Sequence, residues 1–544
     1  MNKASSFRIA LVFFIFCFLY FAILLNLFFI QIIHQQFYLN IGKSQYAATC
    51  AIEQPRAVIL DRSGQFLTLN KESIAAFILP RHIEDRQKLI SFLRDYFLAA
   101  LERLHEHENA HFLYVKRRLN QQEIDLIVSS GIADIKFLRE PSRYYPLSCA
   151  GALVGVTDID NKGLFGIELF FNKQLAGQPS VAFLEKDARS GHFYFERQTK
   201  DEGCFAEQIQ LTIDSDLQFF AQEELQETVQ KYDAKEGMVI IMEPHTGDIL
   251  AMVQTPCFDP NNNAEFSLEY TKNKVIADAY ELGSVFKVFA ALAALEEGVV
   301  EADELIDCTN KETAYVQGRK INTVKSSVRG VIPFTQVIAV SNNIGIALVA
   351  QRLGPILYNH YIRLGFGQKT GVALPGEAKG FVNEPSSWSK QSIFSLSYGY
   401  EISATLLQLA RAFSIIANDG CDVVPHIILN EAVAPCKRLY KHETIEIIRS
   451  ILEETTVRGT AKKAAIKGYC IMSKTGTANM LRNGQYDPTK NMYTCAGIIE
   501  KDSYQRVIVT CVKEAAKPNL YASTVAAPLL ERIARRMLIH DKIL

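Results

Sequence analysis

Three short polar motifs in the second half of the chain contain residue types that can carry out nucleophilic catalysis. The first is Ser284 with Lys287, which lie about one helical turn apart at the start of an apolar run that stops at Gly298. We expect this run to form a largely buried helix, because its leucines and alanines favour helix formation. A lysine in dry surroundings loses its proton readily and can accept the serine proton. The pair therefore predicts a serine nucleophile with its own base.

The other two motifs follow further along the chain. Ser341 and Asn343 form a Ser-x-Asn element between two apolar stretches. Residues 474–477 read Lys-Thr-Gly-Thr at the end of a further apolar stretch. This pattern predicts a strand whose glycine allows a substrate backbone to approach closely.

Two of these motifs have a second copy in the chain. Residues 387–390 repeat Ser-x-x-Lys, but they follow a proline and no long apolar run comes after them. Residues 369–371 repeat Lys-Thr-Gly shortly after two glycines rather than after a strand-like stretch. We interpret both copies as loop or turn segments without a catalytic role.

Composition excludes several classes of protein. The chain has 544 residues and a formal charge of −1, from 58 basic and 59 acidic side chains. This length predicts roughly two to four domains, and the balanced charge argues against nucleic acid as a partner. The 11 cysteines are scattered without a Cys-x-x-Cys pair, so they predict neither a metal centre nor a particular disulfide. We expect no cofactor and no bound metal.

The N-terminus predicts a membrane anchor. Residues 9–30 contain no charged side chain and would span about 33 Å as a helix, enough for a bilayer core. A cleaved signal peptide has a shorter apolar region followed by small residues, and a buried globular helix is rarely apolar on every side. Lys3 and Arg8 precede the run and favour a cytoplasmic N-terminus. We therefore expect a cytoplasmic tail at 1–8, a single-pass anchor at 9–33, and an exported remainder.

The exported part is predicted to divide near residue 208. Residues 34–207 mix short strand-like runs with a charged helical stretch around 93–119, which predicts an irregular, elongated module. Residues 208–544 have a different pattern, with a helix predicted over 217–231.

Strand-like runs lie at both ends of this second part. A hairpin is predicted from residues 237–242 and 248–253, with further strands in 468–478 and 492–512. Long apolar helices lie between them in the sequence. The pattern predicts an α+β domain in which an antiparallel sheet, built from both ends of the segment, is flanked by helices.

The three motifs, in this order, resemble the signature of the penicillin-binding proteins and serine β-lactamases. The similarity extends to segments typical of the transpeptidase domain of class B penicillin-binding proteins, namely 259–261, 374–377, 397–400, Thr405, Gln408 and 458–461. Segments 56–64, 166–168 and 175–177 resemble the pedestal, or dimerisation-type, module of that class. The resemblance covers nearly the whole chain.

This resemblance implies a peptidoglycan D,D-transpeptidase that cross-links stem peptides outside the cytoplasmic membrane. Ser284 would attack the carbonyl of the terminal D-Ala-D-Ala bond, and Lys287 would take its proton. Ser341 and Asn343 would relay a proton to the leaving amine and hold the peptide, with electrostatic support from Lys474. β-Lactams would acylate the same serine as substrate mimics.

The resemblance also implies the substrate-binding residues, which are Thr475, Gly476 and Thr477. The two threonines would bind the terminal carboxylate. The backbone N–H groups of Ser284 and Thr477 would form the oxyanion hole. The chain departs from the family pattern at Leu282, where a proline is usual, at Ala57, where a glycine is usual, and at 522–523, where Ala-Ser replaces Gly-Gly. None of these positions carries a reacting group.

Within class B, the enzyme could act at the division septum or in side-wall elongation. The form of residues 397–405 and the short pedestal favour the division type. In either case the membrane helix is expected to pair with a polytopic glycosyltransferase. In the septal case, other division proteins are expected as further partners.

Alternatives of other classes remain open. His107, Glu108 and His111 match the His-Glu-x-x-His pattern of zinc peptidases, although a solvated helix face over 101–120 explains the same residues. A non-catalytic division scaffold or β-lactam sensor on the same fold is a second alternative. A carboxypeptidase or β-lactamase fits less well, because those proteins usually lack so large a pedestal.

Overall fold

The structure is a computed structural model of the chain. The residues it describes are 3–52, 55–110, 112–178, 180–186, 193–201, 206–262, 267–323, 328–431, 435–482, 484–517 and 520–544.

The strands in these ranges are mostly short, except near the C-terminus. In chain order they are β1 Ala47–Ile52, β2 Ile59–Leu60, β3 Leu69–Ile78, β4 Leu113–Lys116, β5 Lys136–Tyr144, β6 Ser180–Lys186, β7 Phe193–Asp201, β8 Ile209–Gln210, β9 Ala234–Met242, β10 Ile249–Thr255, β11 Leu305–Asp307, β12 Thr313–Val316, β13 Arg319–Asn322, β14 Val331–Pro333, β15 Phe381–Val382, β16 Ile402–Ser403, β17 Cys470–Arg482, β18 Gln485–Lys501 and β19 Tyr504–Ala515.

The α-helices are distributed along the whole chain. In chain order they are α1 Lys3–Phe28, α2 Gln35–Tyr46, α3 Arg86–Tyr96, α4 Leu98–Glu106, α5 Gln121–Ser130, α6 Gly151–Val154, α7 Gly166–Phe170, α8 Asn172–Ala176, α9 Ser215–Tyr232, α10 Leu268–Thr271, α11 Lys274–Ala277, α12 Lys287–Glu296, α13 Phe334–Ala339, α14 Asn343–Leu353, α15 Ile356–Arg363, α16 Ser392–Ser397, α17 Leu406–Ala417, α18 His442–Val457 and α19 Ala522–His540.

The chain forms two compact units. One consists of Met1–Arg56 with Ala176–Glu207. In it, α1 continues through a π-helical turn, and the apolar span Ser6–Ile33 is long enough to cross a bilayer. Strands β1, β6 and β7 form an antiparallel sheet in that order. The candidate membrane span predicted from the sequence is therefore a continuous apolar helix.

The other unit consists of Ala57–Leu175 with Gln208–Leu544. Its main sheet has five antiparallel strands in the order β10-β9-β19-β18-β17. The first two strands come from the beginning of the segment after residue 208, and the other three come from its end. This arrangement confirms the predicted sheet, including the hairpin of β9 and β10.

Alternation along the strands places apolar side chains on both faces of this sheet. In β9, Val239 and Ile241 pack into a cluster with residues of α9 and α19. Met238 and Ile240 face the opposite side and join the large core that contains α12 and α17. Because successive side chains point to opposite faces, a continuous apolar run is what a strand between two helical layers requires. The three motifs predicted to be catalytic lie on the α12 side.

The region before residue 175 has its own small sheet, β4-β3-β5, over a separate apolar cluster. The prediction of a charged helix around 93–119 is wrong for the residues after Glu106, where α4 ends. The chain then turns and forms β4 against β3. The aromatic and β-branched residues of this stretch favour a strand, and pairing with β3 overrides the helical pattern.

A disulfide joins Cys421 and Cys436, whose Cα atoms are 5.3 Å apart. Spacing alone could not assign this pair, because scattered cysteines allow many pairings. Both residues belong to the segment between α17 and α18.

A buried ion pair holds the pedestal-like region together. Arg143 on β5 donates to the carboxylate of Glu168 on α7 at 2.8 Å, and both side chains are almost fully buried. The same guanidinium donates to Asn70 and to the carbonyl of Ala57, so it connects four segments of the chain. Removing one partner of such a pair leaves a buried charge uncompensated.

We predict that Glu168→Ala lowers the free energy of unfolding by about 3–5 kcal/mol, since the Arg143 charge loses its partner. Guanidinium denaturation of the full chain in detergent, followed by circular dichroism, measures this change. The matched control is Glu72→Ala, which breaks an ion pair with Arg139 in which both side chains are more than 70% exposed. It should cost less than about 1 kcal/mol. Equal effects of the two substitutions would show that the buried pair matters no more than the exposed one.

Candidate active site

Ser284 lies on a 3₁₀ turn, Gly283–Phe286, that leads directly into α12. Its side chain is half-buried, and its hydroxyl has no hydrogen-bond partner among the described residues. Gly283 adopts a φ of +62°, and a Cβ there would lie 2.9 Å from the carbonyl oxygen of Thr477. The glycine therefore allows the turn that carries Ser284 to lie directly against β17.

The two predicted catalytic lysines meet at one hydroxyl. Lys287 Nζ donates to Ser341 Oγ at 3.1 Å and to the Ser341 carbonyl at 2.6 Å. Lys474 Nζ donates to the same Oγ at 3.0 Å and to the carbonyl of Thr475. Both lysine side chains are fully buried. The three motifs, which are far apart in the sequence, thus converge on a single point.

Burial makes both lysines weaker bases than usual, and the charge of Lys474 adds to this effect at Lys287. Desolvation, together with the nearby charge of Lys474, holds the pKa of Lys287 well below its usual range. Desolvation lowers the pKa of Lys474 to about 7. Within the described ranges, no carboxylate forms an ion pair with either amine. Lys287 therefore loses its proton more readily than an ordinary lysine and can then accept one from a nucleophile.

The Ser-x-Asn motif lies where a strained turn leads into α14. Ser341 has a φ of +60°, a conformation that is uncommon for residues other than glycine. Asn342 is buried and caps α14 by accepting from the N–H groups of Ile344 and Gly345. Asn343 donates from Nδ2 to the carbonyl of Asn322 at 2.7 Å. The cap and this bond fix the orientation of the motif.

Strand β17 forms the opposite wall and is an edge strand of the main sheet. A Cβ at Gly476 would lie 2.4 Å from the carbonyl oxygen of Leu282 and 2.6 Å from Val285 Cγ2. Only glycine permits this contact between β17 and the turn of Ser284. The backbone groups on the free side of an edge strand can pair with an extended peptide.

Two threonines of β17 point to the same face, since they are two residues apart. The hydroxyl of Thr475 shares a 2.9 Å hydrogen bond with that of Thr460. Thr477 Oγ1 accepts from the N–H of Ala522 at 3.0 Å. A hydroxyl that accepts a bond still has its own proton to donate, so Thr477 can bind a carboxylate.

Sequence reasoning missed the contacts that fix these groups. Thr460 and Ala522 lie in segments that correspond to family motifs, but nothing in the sequence indicates that they contact the two threonines. Asn342, the middle residue of Ser-x-Asn, is only a spacer in the motif pattern. Its position before an apolar run is a recognisable N-cap signal that could have revealed its role.

The second copies of the motifs lie outside this cluster of side chains. Ser387 ends a short 3₁₀ turn, Pro385–Ser387. Thr370 lies in a loop, where its N–H donates to the carboxylate of Glu377. The structure therefore agrees with their interpretation as loop and turn segments.

The zinc-peptidase pattern is not helical where the structure describes it. His107 is the C-cap residue just after α4, and Glu108 in the following turn pairs with Arg86. His111 lies outside the described residues. A zinc-peptidase site requires both histidines one turn apart on a helix. The prediction of a helix over 101–120 is wrong after Glu106, so the described residues do not provide that helix.

The sequence matches the family described as Penicillin binding protein transpeptidase domain over residues 237–535. It matches the Penicillin-binding Protein dimerisation domain over residues 51–204. The chain belongs to the penicillin-binding protein transpeptidase family. The resemblance drawn from the three motifs is thereby confirmed.

Individual relatives agree with this assignment. The chain is 28% identical over 517 residues to the probable peptidoglycan D,D-transpeptidase PenA of Neisseria gonorrhoeae, a match that covers 93% of this chain and 88% of that protein. It is also 28% identical to the peptidoglycan D,D-transpeptidase FtsI of Escherichia coli, covering 93% and 87%. Penicillin binding protein 3 of Mycobacterium tuberculosis, solved with aztreonam, superposes with a TM-score of 0.69 at 26% identity, covering 91% and 98%.

The rate at which penicillin acylates the protein should fall at low pH, where Lys287 becomes protonated. We predict that Lys474→Met moves this fall to higher pH. Loss of the neighbouring positive charge makes protonation of Lys287 less unfavourable, so the pKa of Lys287 rises. The maximal rate should also fall about 100-fold. The measurement is the second-order rate of labelling by a fluorescent penicillin between about pH 5 and about pH 9.

The matched control for this prediction is Lys513→Met, which removes a lysine that pairs with Glu236. Its profile should keep the wild-type midpoint. An unchanged midpoint in Lys474→Met would show that the two lysines are not electrostatically coupled.

Proposed function

We propose that the chain is a peptidoglycan D,D-transpeptidase that acts through an acyl-enzyme on Ser284. The observation that carries this proposal is the convergence of two buried lysine amines on Ser341 Oγ, beside the turn of Ser284 and the edge strand β17. This arrangement supplies a nucleophile, a neutral base, a proton relay and a peptide-binding edge. Each is needed to transfer a peptidyl group from one amine to another.

In the first half of the reaction, Lys287 takes the proton of Ser284 while Oγ bonds to the carbonyl carbon of the penultimate D-Ala. The oxyanion that forms accepts hydrogen bonds from the N–H groups of Ser284 and Thr477; losing one such donor typically costs about 3–4 kcal/mol. The carbon–nitrogen bond then breaks. The proton returns from Lys287 through Ser341 to the departing D-Ala amine, and the ester on Ser284 remains.

In the second half, an amino group of a neighbouring stem peptide attacks the ester carbonyl. That amine loses a proton to the Ser341 and Lys287 relay, and Ser284 Oγ recovers a proton as the ester breaks. Lys474 stabilises the relay through its hydrogen bond to Ser341. Asn343 holds the peptide, while Thr475, Gly476 and Thr477 bind the donor's terminal segment.

We place the enzyme in the cytoplasmic membrane of a bacterium, with residues 1–8 in the cytoplasm and the remainder after the anchor at 9–33 outside it. The two positive charges before the apolar span support this orientation. Residues 34–207 form the pedestal and 208–544 the catalytic domain in this proposal. Export places the active site on the side where peptidoglycan is cross-linked.

A role in septal wall synthesis is the more specific proposal. It is supported by the similarity to FtsI and by the form of residues 397–405. The membrane helix is proposed to pair with a polytopic glycosyltransferase, which would supply nascent glycan to the transpeptidase. The alternative is that the enzyme carries out the same transpeptidation during side-wall elongation.

We predict that penicillin adds one acyl group to the full chain and that mass spectrometry locates it on Ser284. Ser284→Ala should abolish the adduct, because Ser284 carries the only side-chain hydroxyl of the turn Gly283–Phe286, whereas the Ser341 hydroxyl is already bonded to both lysines. Ser387→Ala, in the second Ser-x-x-Lys copy, should retain it. An unmodified wild-type chain would instead support a non-catalytic scaffold.

We further predict that depletion of the protein in its host blocks division and produces filaments, because septal cross-linking fails while side-wall growth continues. Microscopy of depleted cells measures this outcome. Re-expression of wild type should restore division, and Ser284→Ala should not. Rounded cells would instead assign the enzyme to elongation.

A further inference from the structure

A polar cleft of about 380 Å³ lies in the catalytic unit, and none of its residues has a role in the mechanism above. Its walls combine aromatic rings with one basic and one acidic side chain. The lining residues that matter here are Arg319, Tyr398, Tyr400, Glu401, Asn479 and Tyr486.

The cleft is continuous with the strand that binds the peptide. Asn479 follows Thr475 and Thr477 on β17 at intervals of two, so its side chain points to the same face of the strand. Its N–H donates to the hydroxyl of Tyr400 at 3.4 Å. A peptide extended along β17, with its terminal carboxylate at the threonines, advances about 3.3 Å per residue. The residue before D-Ala-D-Ala therefore reaches the cleft.

Arg319 provides a fixed positive charge on one side. Its Nη1 donates to the carbonyl of Gln391 at 2.8 Å and to Ser395 Oγ at 2.7 Å. Its guanidinium carbon lies 5.7 Å from the centre of the Tyr398 ring. Among the described residues, no carboxylate pairs with it. The guanidinium is thus held in place while its other N–H groups remain available for a carboxylate.

Glu401 provides a negative charge on a strained backbone. Its φ is +60°, where glycine would be unstrained. Its N–H donates to Glu281 Oε1 at 2.8 Å, and its own carboxylate accepts from Asn383 Nδ2 at 2.7 Å. A side chain kept at such a position at an energetic cost points to a functional role. Glu401 and Arg319 line the same cleft but do not pair with each other.

We propose that this cleft selects the side chain of the stem-peptide residue that precedes D-Ala-D-Ala, and that the side chain it fits carries both a carboxylate and an ammonium group. The carboxylate binds Arg319, the ammonium group binds Glu401, and the tyrosine rings cover the aliphatic stem. A lysine side chain fits less well, because it leaves Arg319 facing a cation. This inference rests on the proposed transpeptidase function and adds its donor specificity.

The test compares D-Ala release by the full chain in detergent from two pentapeptides that differ only at the third residue. One contains meso-2,6-diaminopimelate and the other L-lysine. We expect kcat/KM to favour the first by about tenfold or more, as for loss of one charged hydrogen bond. Amidation of the side-chain carboxylate in the first peptide should remove this preference without any change in the protein.

Two substitutions give different signatures. Arg319→Gln should lower kcat/KM for the diaminopimelate peptide alone and bring the ratio close to one. Glu401→Gln should lower both values, because both peptides carry the ammonium group, and leave the ratio unchanged. Arg319→Lys should restore part of the preference. The control is Lys320→Gln, on an exposed neighbour of Arg319 in β13, which should not change either value.

The outcomes separate this inference from the proposed function. Equal turnover of the two peptides by wild type, or an equal loss of both in Arg319→Gln, overturns the specificity and leaves the transpeptidase assignment intact. If no peptide releases D-Ala and penicillin forms no adduct, both proposals fail.

Discussion

The active site depends on the burial of two lysine amines against the hydroxyl of Ser341. Three elements that are distant in sequence must pack together to create this contact, namely the start of α12, the turn before α14 and strand β17. Water is excluded from both amines, and this burial lowers the pKa of each. The chemistry is thus a consequence of packing.

The burial of the two lysine amines lowers the stability of the folded chain. The pKa of Lys474 is lowered from 10.5 to about 7, so between these pH values the unfolded chain binds more protons than the folded chain. The contribution of Lys474 to the free energy of unfolding therefore rises with pH through this window. The large apolar core around α12 and α17 offsets that cost, and the strained φ of Ser341 adds to it.

Much of this organisation could be predicted from local sequence. The helix α9, the hairpin of β9 and β10, and the anchor each have a clear periodicity or length signal. The candidate catalytic residues could be predicted because their order and spacing match a known signature. Those signals are local or are shared across a family, so they do not depend on knowledge of the packing in this chain.

The remaining features depend on contacts between distant segments. The bond between Thr460 and Thr475, the disulfide of Cys421 with Cys436, and the strand that follows Glu106 have no sufficient local signal. The strand is decided by pairing with β3, which overrides a helical pattern. The cleft beside β17 likewise forms only when β13 and the turn of Glu401 meet that strand.

The most direct measurement is an NMR titration of the ε-carbon of Lys287 in the folded chain, using ¹³C-labelled lysine and Lys287→Arg to assign the signal. We expect this amine to lose its proton well below the usual lysine pKa of about 10.4. A Lys287 signal that stays protonated up to that ordinary value would contradict the mechanism, because the serine would then have no base.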